Sequence, residues 1–105
     1  MNDCIFCKII KKQAPSTIVY EDEDCIAFKS IQPKADIHIL IIPKQHIVSL
    51  LDMTSDMQLL IGKLMLNTNK IAKNLNLDGY KVHINNGIKG WQEVFHLHIH
   101  LLANL

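Results

Sequence analysis

The segment Phe95–Leu102 reads Phe-His-Leu-His-Ile-His-Leu-Leu and sets three of the chain's six histidines in alternation with apolar residues. A period of two marks a β-strand, in which successive side chains point to opposite faces. His96, His98 and His100 therefore share one face, while Phe95, Leu97, Ile99 and Leu101 line the other and are expected to pack on a core. Imidazole titrates near neutrality and serves as nucleophile, proton carrier or metal ligand. A water-exposed strand face usually mixes Lys, Glu and Thr instead. Three imidazoles together imply a reaction centre or a metal site. Because two or three such ligands commonly hold zinc, a metal-dependent hydrolase with zinc on these three residues is one reading.

With 105 residues and 49% hydrophobic content, the chain is expected to form one domain over 1–105, small enough that pairing with a second copy would add useful buried area. A net charge of +1 gives no electrostatic reason to bind nucleic acid or an anionic membrane. All eleven basic residues are lysine, which excludes a bidentate guanidinium grip on phosphate within one chain. Any phosphate must be met by His, Asn, Gln, Lys or backbone amides. No signal peptide pattern opens the sequence, and no apolar run approaches the roughly 18 residues of a membrane span, so a cytoplasmic location is expected. In that reducing compartment Cys4, Cys7 and Cys25 are not expected to form a disulfide, and the C-x-x-C pair reads as metal-binding or redox-active.

In chain order, Cys4–Lys11 has the apolar spacing of a short helix, which Pro15 stops soon after. Thr17–Tyr20 and Cys25–Lys29 flank four acidic residues and read as a hairpin. Ile31–Asp36 is a loop. His38–Ile42 is nearly continuous aliphatic sequence ending at Pro43, which suits a central strand buried on both faces, and His46 follows shortly after. Thr54-Ser55-Asp56 offers N-cap chemistry to one long amphipathic helix carrying Met57, Leu60, Ile61, Leu64, Ile71 and Leu75. Met57 and Met65 read as core or interface filler. Asn76–Gly79 ends the helix, with Gly79 available for a left-handed turn. Tyr80–Asn85 alternates as a strand with Tyr80, Val82 and Ile84 on one face, and His83 is expected at the surface. The loop Asn86–Glu93 contains two glycines, whose backbone could turn N–H groups toward a phosphate.

These segments resemble the histidine triad family, and in particular its Hint-like branch of nucleoside phosphoramidate hydrolases and nucleotidyl-transferring enzymes. The likeness runs along nearly the whole chain through IFCKIIKKQAPSTIVYEDE, HILIIPKQH and NNGIKGWQEVFHLHIHLL. It implies an α/β (α+β) fold, an antiparallel sheet of about five strands with one long helix and a short N-terminal helix. It also implies a homodimer paired through the long helix and the neighbouring strand. The middle histidine of the motif, His98, matches the nucleophile that attacks the α-phosphorus of a purine nucleotide conjugate. For that role His98 must be neutral, with the attacking nitrogen bare and the other donating to an acceptor such as a backbone carbonyl. His100 and His38 match the supporting histidines, and Asn85 and Gln92 match side chains that approach the phosphate and leaving group.

The likeness is not complete. Ser30, beside Ile31 in the nucleotide-binding segment, stands where the branch usually has an Asp for the ribose hydroxyls. Trp91-Gln92-Glu93 stands where its best-known members have Gly-Gln-Ser. The sequence ends five residues after His100, before the tail that shapes the partner's site in that branch. Some bacterial members hold zinc with a C-x-x-C at this place, and those ligands map onto Cys4, Cys7, His46 and His96, a closed tetrahedral set of structural type. The leading expectation is a hydrolase, and the second is a zinc-stabilised nucleotide-binding or interaction module with little turnover.

Overall fold

In the central strand, Ile39 and Ile41 point to one side and Leu40 and Ile42 to the other, and all four are buried because a helix covers each face. The structure is a computed structural model and describes residues 4–105. Five strands, β1 (Ile18–Glu21), β2 (Cys25–Lys29), β3 (Ile37–Pro43), β4 (Lys81–His83) and β5 (Ile99–Ala103), form one sheet. Its order is β1-β2-β3-β5-β4 with every neighbouring pair antiparallel. Helix α1 (Ile5–Ile10) sets Phe6 and Ile9 against Ile26, Phe28, Leu40 and Ile42. Helix α2 (Gln58–Asn74) sets Leu64, Ile71 and Ala72 against Ile39, Ile41, Leu97, Ile99 and Leu101 on the other face. Each fully buried aliphatic of this set stabilises the fold by roughly 1.5–3 kcal/mol. This is the expected α+β architecture.

Local chemistry departs from expectation in several places. The histidine segment becomes a strand only at Ile99; the chain bends over 94–96, which leaves Phe95 44% exposed rather than on the core face. Leu97, Ile99 and Leu101 do pack beneath α2 as the alternation requires. Strand β4 is shorter than the alternating run, ending at His83. A 3-10 turn at Ser55–Met57 precedes α2, and the Thr54 hydroxyl bonds the Asp56 carboxylate rather than a helix amide. Asn76, at φ 58°, takes the left-handed position after α2 that Gly79 was expected to fill. Helix α1 closes on Lys12 at φ 62°, with Gln13 N–H donating to the Lys8 carbonyl at 2.8 Å, so it ends before Pro15 is reached. Met57 packs against the core, whereas Met65 is largely exposed.

Candidate active site and metal centre

The three motif histidines share a sheet face, yet their rings serve two centres. His96 is fully buried, and its Nε2 donates to the Pro43 carbonyl at 2.9 Å. A carbonyl only accepts, so the proton sits on Nε2 and Nδ1 keeps its lone pair. That nitrogen lies 3.4 Å from Cys4 Sγ and 3.6 Å from Cys7 Sγ, and Cys7 Sγ lies 3.1 Å from His46 Nδ1. One ligand atom from each of the four residues falls within 4.8 Å of the others. Ligand bonds of about 2.0–2.3 Å at tetrahedral angles place neighbouring ligand atoms roughly 3.3–3.8 Å apart. The three contacts of 3.1–3.6 Å come close to that spacing, and the cluster could hold a metal ion.

The surroundings of these four residues suit ligation. Burial pushes His96 down to about 4, so it is neutral, as a ligand must be. Without a cation, burial and the adjacent Cys4 raise the Cys7 thiol; a bound cation would reverse that balance. The backbone N–H of Cys7 donates to Cys4 Sγ at 3.4 Å, which orients one sulfur. His98 and His100 take no part in this cluster, so a metal shared by all three motif histidines does not fit the geometry.

His98 and His100 instead border a cavity of about 730 Å³ between α1, the sheet and the loop before β5. Nδ1 of His98 donates to the His96 carbonyl at 2.7 Å, which leaves Nε2 as the unprotonated nitrogen. A second chain of bonds fixes His100. The Lys34 N–H donates to His38 Nδ1 at 3.2 Å, so neutral His38 carries its proton on Nε2. That nitrogen lies 2.9 Å from His100 Nδ1 and donates to it, which places the His100 proton on Nε2. Burial lowers His38 and His98 and takes His100 down to about 3, so all three are neutral near pH 7. The site thus combines one bare imidazole nitrogen with one imidazole N–H donor.

The cavity also brings together Ser30, Ile31, Asn85, Trp91 and Glu93, opposite an apolar wall of Ile5, Phe6, Ile9, Phe28, Leu40 and Val94. Phe6 meets the rings of both His96 and His98 edge-on, at 5.9 and 5.1 Å between centroids. Asn85 Nδ2 donates to the Gly90 carbonyl at 2.8 Å and so braces the loop. Gln92 is the exception among the expected residues. It is buried, its amide donates to the carbonyls of Val48 and Val94, and its Oε1 accepts from Gly87 N–H at 2.8 Å.

The amides of Gly87, Gly90, Trp91 and Gln92 are likewise bonded within the loop, so the glycine backbone does not turn these four donors toward the cavity. Five polar residues of the cavity lie outside the expected set, Ser16, Lys29, Gln32, Lys34 and His83. His83 is half-buried rather than on the surface, and its ring stacks on that of His100 at 4.2 Å and 19°. Strand parity carried the signal, because His83 and Asn85 are two apart and share a face.

Comparison with known proteins matches residues 11–104 to the HIT domain. The chain is 50% identical to the protein HitA of Neisseria gonorrhoeae over 98% of its own length and 97% of that protein's. Its fold matches a HIT family hydrolase from Legionella pneumophila at a TM-score of 0.94, with 40% identity over 96% of this chain and 92% of the other. It also matches a zinc-bound histidine triad family protein from Mycobacterium smegmatis at a TM-score of 0.83, with 32% identity over 98% and 76% of the two chains. From the motif, the sheet order and these likenesses, the chain belongs to the HIT domain family, with the fold of its hydrolases.

Proposed function

We propose that this protein hydrolyses purine nucleotide conjugates, such as phosphoramidates, at the α-phosphate through a nucleotidyl-histidine on His98. The observation that carries this reading is the 2.7 Å bond from His98 Nδ1 to the His96 carbonyl, which leaves Nε2 bare at the wall of the cavity. Its lone pair attacks phosphorus, the bond to the leaving group breaks, and the leaving group takes a proton that His100 Nε2–H is placed to give. Water then attacks phosphorus, the bond to His98 Nε2 breaks, and a proton of the attacking water returns to His100 Nε2, which frees the nucleoside monophosphate and restores both imidazoles. The neutral N–H of His100, held from behind by His38, meets the reacting phosphate group without a guanidinium, while the wall of Phe6, Ile9 and Phe28 takes the base.

Zinc on Cys4, Cys7, His46 and His96 would play a structural part, because four protein ligands leave no position for water. The test is a rapid-quench burst on a nucleoside phosphoramidate, with mass spectrometry of the trapped nucleotidyl-protein. His98→Ala should lower turnover by many orders of magnitude, and retention of more than about a hundredth of the rate would count against a covalent role. Tight nucleotide binding without a burst would favour the non-catalytic module, the reading that Ser30 supports.

A further inference from the structure

We propose that His83 is a positioning residue, whose imidazole stacks on that of His100 and holds the His100 N–H in register with the substrate. The proposal rests on the hydrolytic reading for its kinetic consequence, but its structural content stands apart from it. His83 and His100 are directly opposed partners in the β4–β5 ladder, and their rings lie 4.2 Å apart at 19°. A cross-strand pair of this kind fixes side-chain orientation as well as strand register.

The need for such a contact follows from the other restraints on His100. Its Nδ1 accepts one hydrogen bond, from His38 at 2.9 Å, and a single bond at a ring edge leaves the ring free to swing about that contact. Rotation about the Cβ–Cγ bond of an imidazole is intrinsically broad. The His98 ring is inclined at 55° and gives no flat support. A parallel ring against the face of His100 removes the remaining freedom. With His83 in place, one edge of His100 meets His38 and the other presents Nε2–H.

His83 itself is half-buried, lines the cavity, and is held neutral by burial and by the nearby lysines 81 and 34. Among the described residues neither of its ring nitrogens has a hydrogen-bond partner, so the stack is its principal contact with the catalytic rings. A ring face is what the position uses. Phe can supply that face without nitrogen, whereas Ala cannot.

The experiment compares His83→Ala and His83→Phe with the wild type in two measurements. Long-range proton–nitrogen NMR of the histidine rings should show wild-type His100 as a single tautomer protonated on Nε2. In His83→Ala that signature should give way to a mixed or broadened one, and in His83→Phe it should be retained. On a nucleoside phosphoramidate, His83→Ala should lower kcat by about tenfold or more with little change in KM, and His83→Phe should recover most of it. If the wild type proves inactive, the NMR measurement still decides the positioning role. An unchanged His100 signature in His83→Ala overturns the proposal. So does equal loss of kcat in both variants with that signature intact, since it would mean that the nitrogens of His83 act on substrate directly.

Discussion

The carbonyl of His96 accepts the Nδ1–H of His98 at 2.7 Å, while the His96 ring turns away to lie 3.4 Å from Cys4 Sγ. One residue therefore fixes the tautomer of the candidate nucleophile with its backbone and contributes to the candidate metal centre with its side chain. Freshly purified protein is expected to carry about one zinc per chain. Removing it with a chelator should lower Tm, by roughly 4–8 °C for each kcal/mol lost, and the fraction that stays folded should keep turning over. Cys4→Ser with Cys7→Ser should behave in the same way. Metal content far below one per chain, or a Tm indifferent to chelator, would leave Cys4 and Cys7 as ordinary reduced cysteines at the start of α1.

Helix α2 leaves Leu59 and Leu66 exposed at 82% and 72%, two turns apart along one stripe. We expect this stripe to pair with its copy in a symmetric dimer. Light scattering at micromolar concentration should give twice the chain mass, and Leu66→Lys should shift the mass toward one chain. A wild-type monomer would remove the pairing.

The acidic turn between β1 and β2 is held by Asp22, whose carboxylate accepts from the N–H groups of Asp24 and Cys25 and from Tyr20 and Asn67. Burial alone would raise its pKa, but these donors outweigh it and hold the carboxyl below its ordinary value. A carboxyl depressed by folding stabilises the fold above its unfolded pKa, and that contribution is lost as pH falls through the folded value. Asp22→Ala should therefore cost about 1 kcal/mol near neutrality. It should also flatten the loss of stability below about pH 4. Parallel denaturation curves for the two proteins across the acid range would show that the turn is held by other contacts.

Strand periodicity made much of this site legible. The alternation from His96 to Leu101 separated core from site, and the need for an acceptor behind His98 was visible before any carbonyl could be assigned to it. What escaped was everything that depends on a partner distant in sequence. The stack of His83 on His100 needs the β4–β5 register, and the apolar wall needs α1 to lie across β2 and β3. Gln92 was drawn toward phosphate by its place in the motif, but its amide closes the loop by bonding three backbone groups. The split of His96 from its two neighbours could be drawn only from a likeness, because alternation cannot tell one ligand shell from two.

Trp91 sits in the left-handed region at φ 63° with 82% of its surface exposed, so it combines backbone strain with little burial in return. The left-handed conformation costs a non-glycine residue roughly 1–2 kcal/mol. Trp91→Gly should relieve it, and the net gain, after the larger entropy loss of glycine, is about 0.5–1 kcal/mol. Thermal denaturation should then show a Tm equal to or a few degrees above the wild type. A clear fall in Tm would mean that the indole is covered in the assembled protein.

Ser30 borders the cavity beside Ile31, and its Oγ accepts the Gln32 N–H at 3.2 Å, which leaves the hydroxyl one proton to offer a ligand. A single neutral hydroxyl holds a ribose diol weakly, since charge-assisted hydrogen bonds are about twice as strong as neutral ones. The wild type should therefore discriminate poorly between ribose and 2′-deoxyribose, and selectivity among purines should be modest. Ser30→Asp should tighten a ribonucleoside monophosphate by about fivefold, or ~1 kcal/mol, and should have a smaller effect on the deoxy analogue. Titration calorimetry of both proteins with both ligands measures this directly. Equal affinities for the ribonucleotide would place the sugar away from position 30, on the polar residues nearer His83 and Asn85.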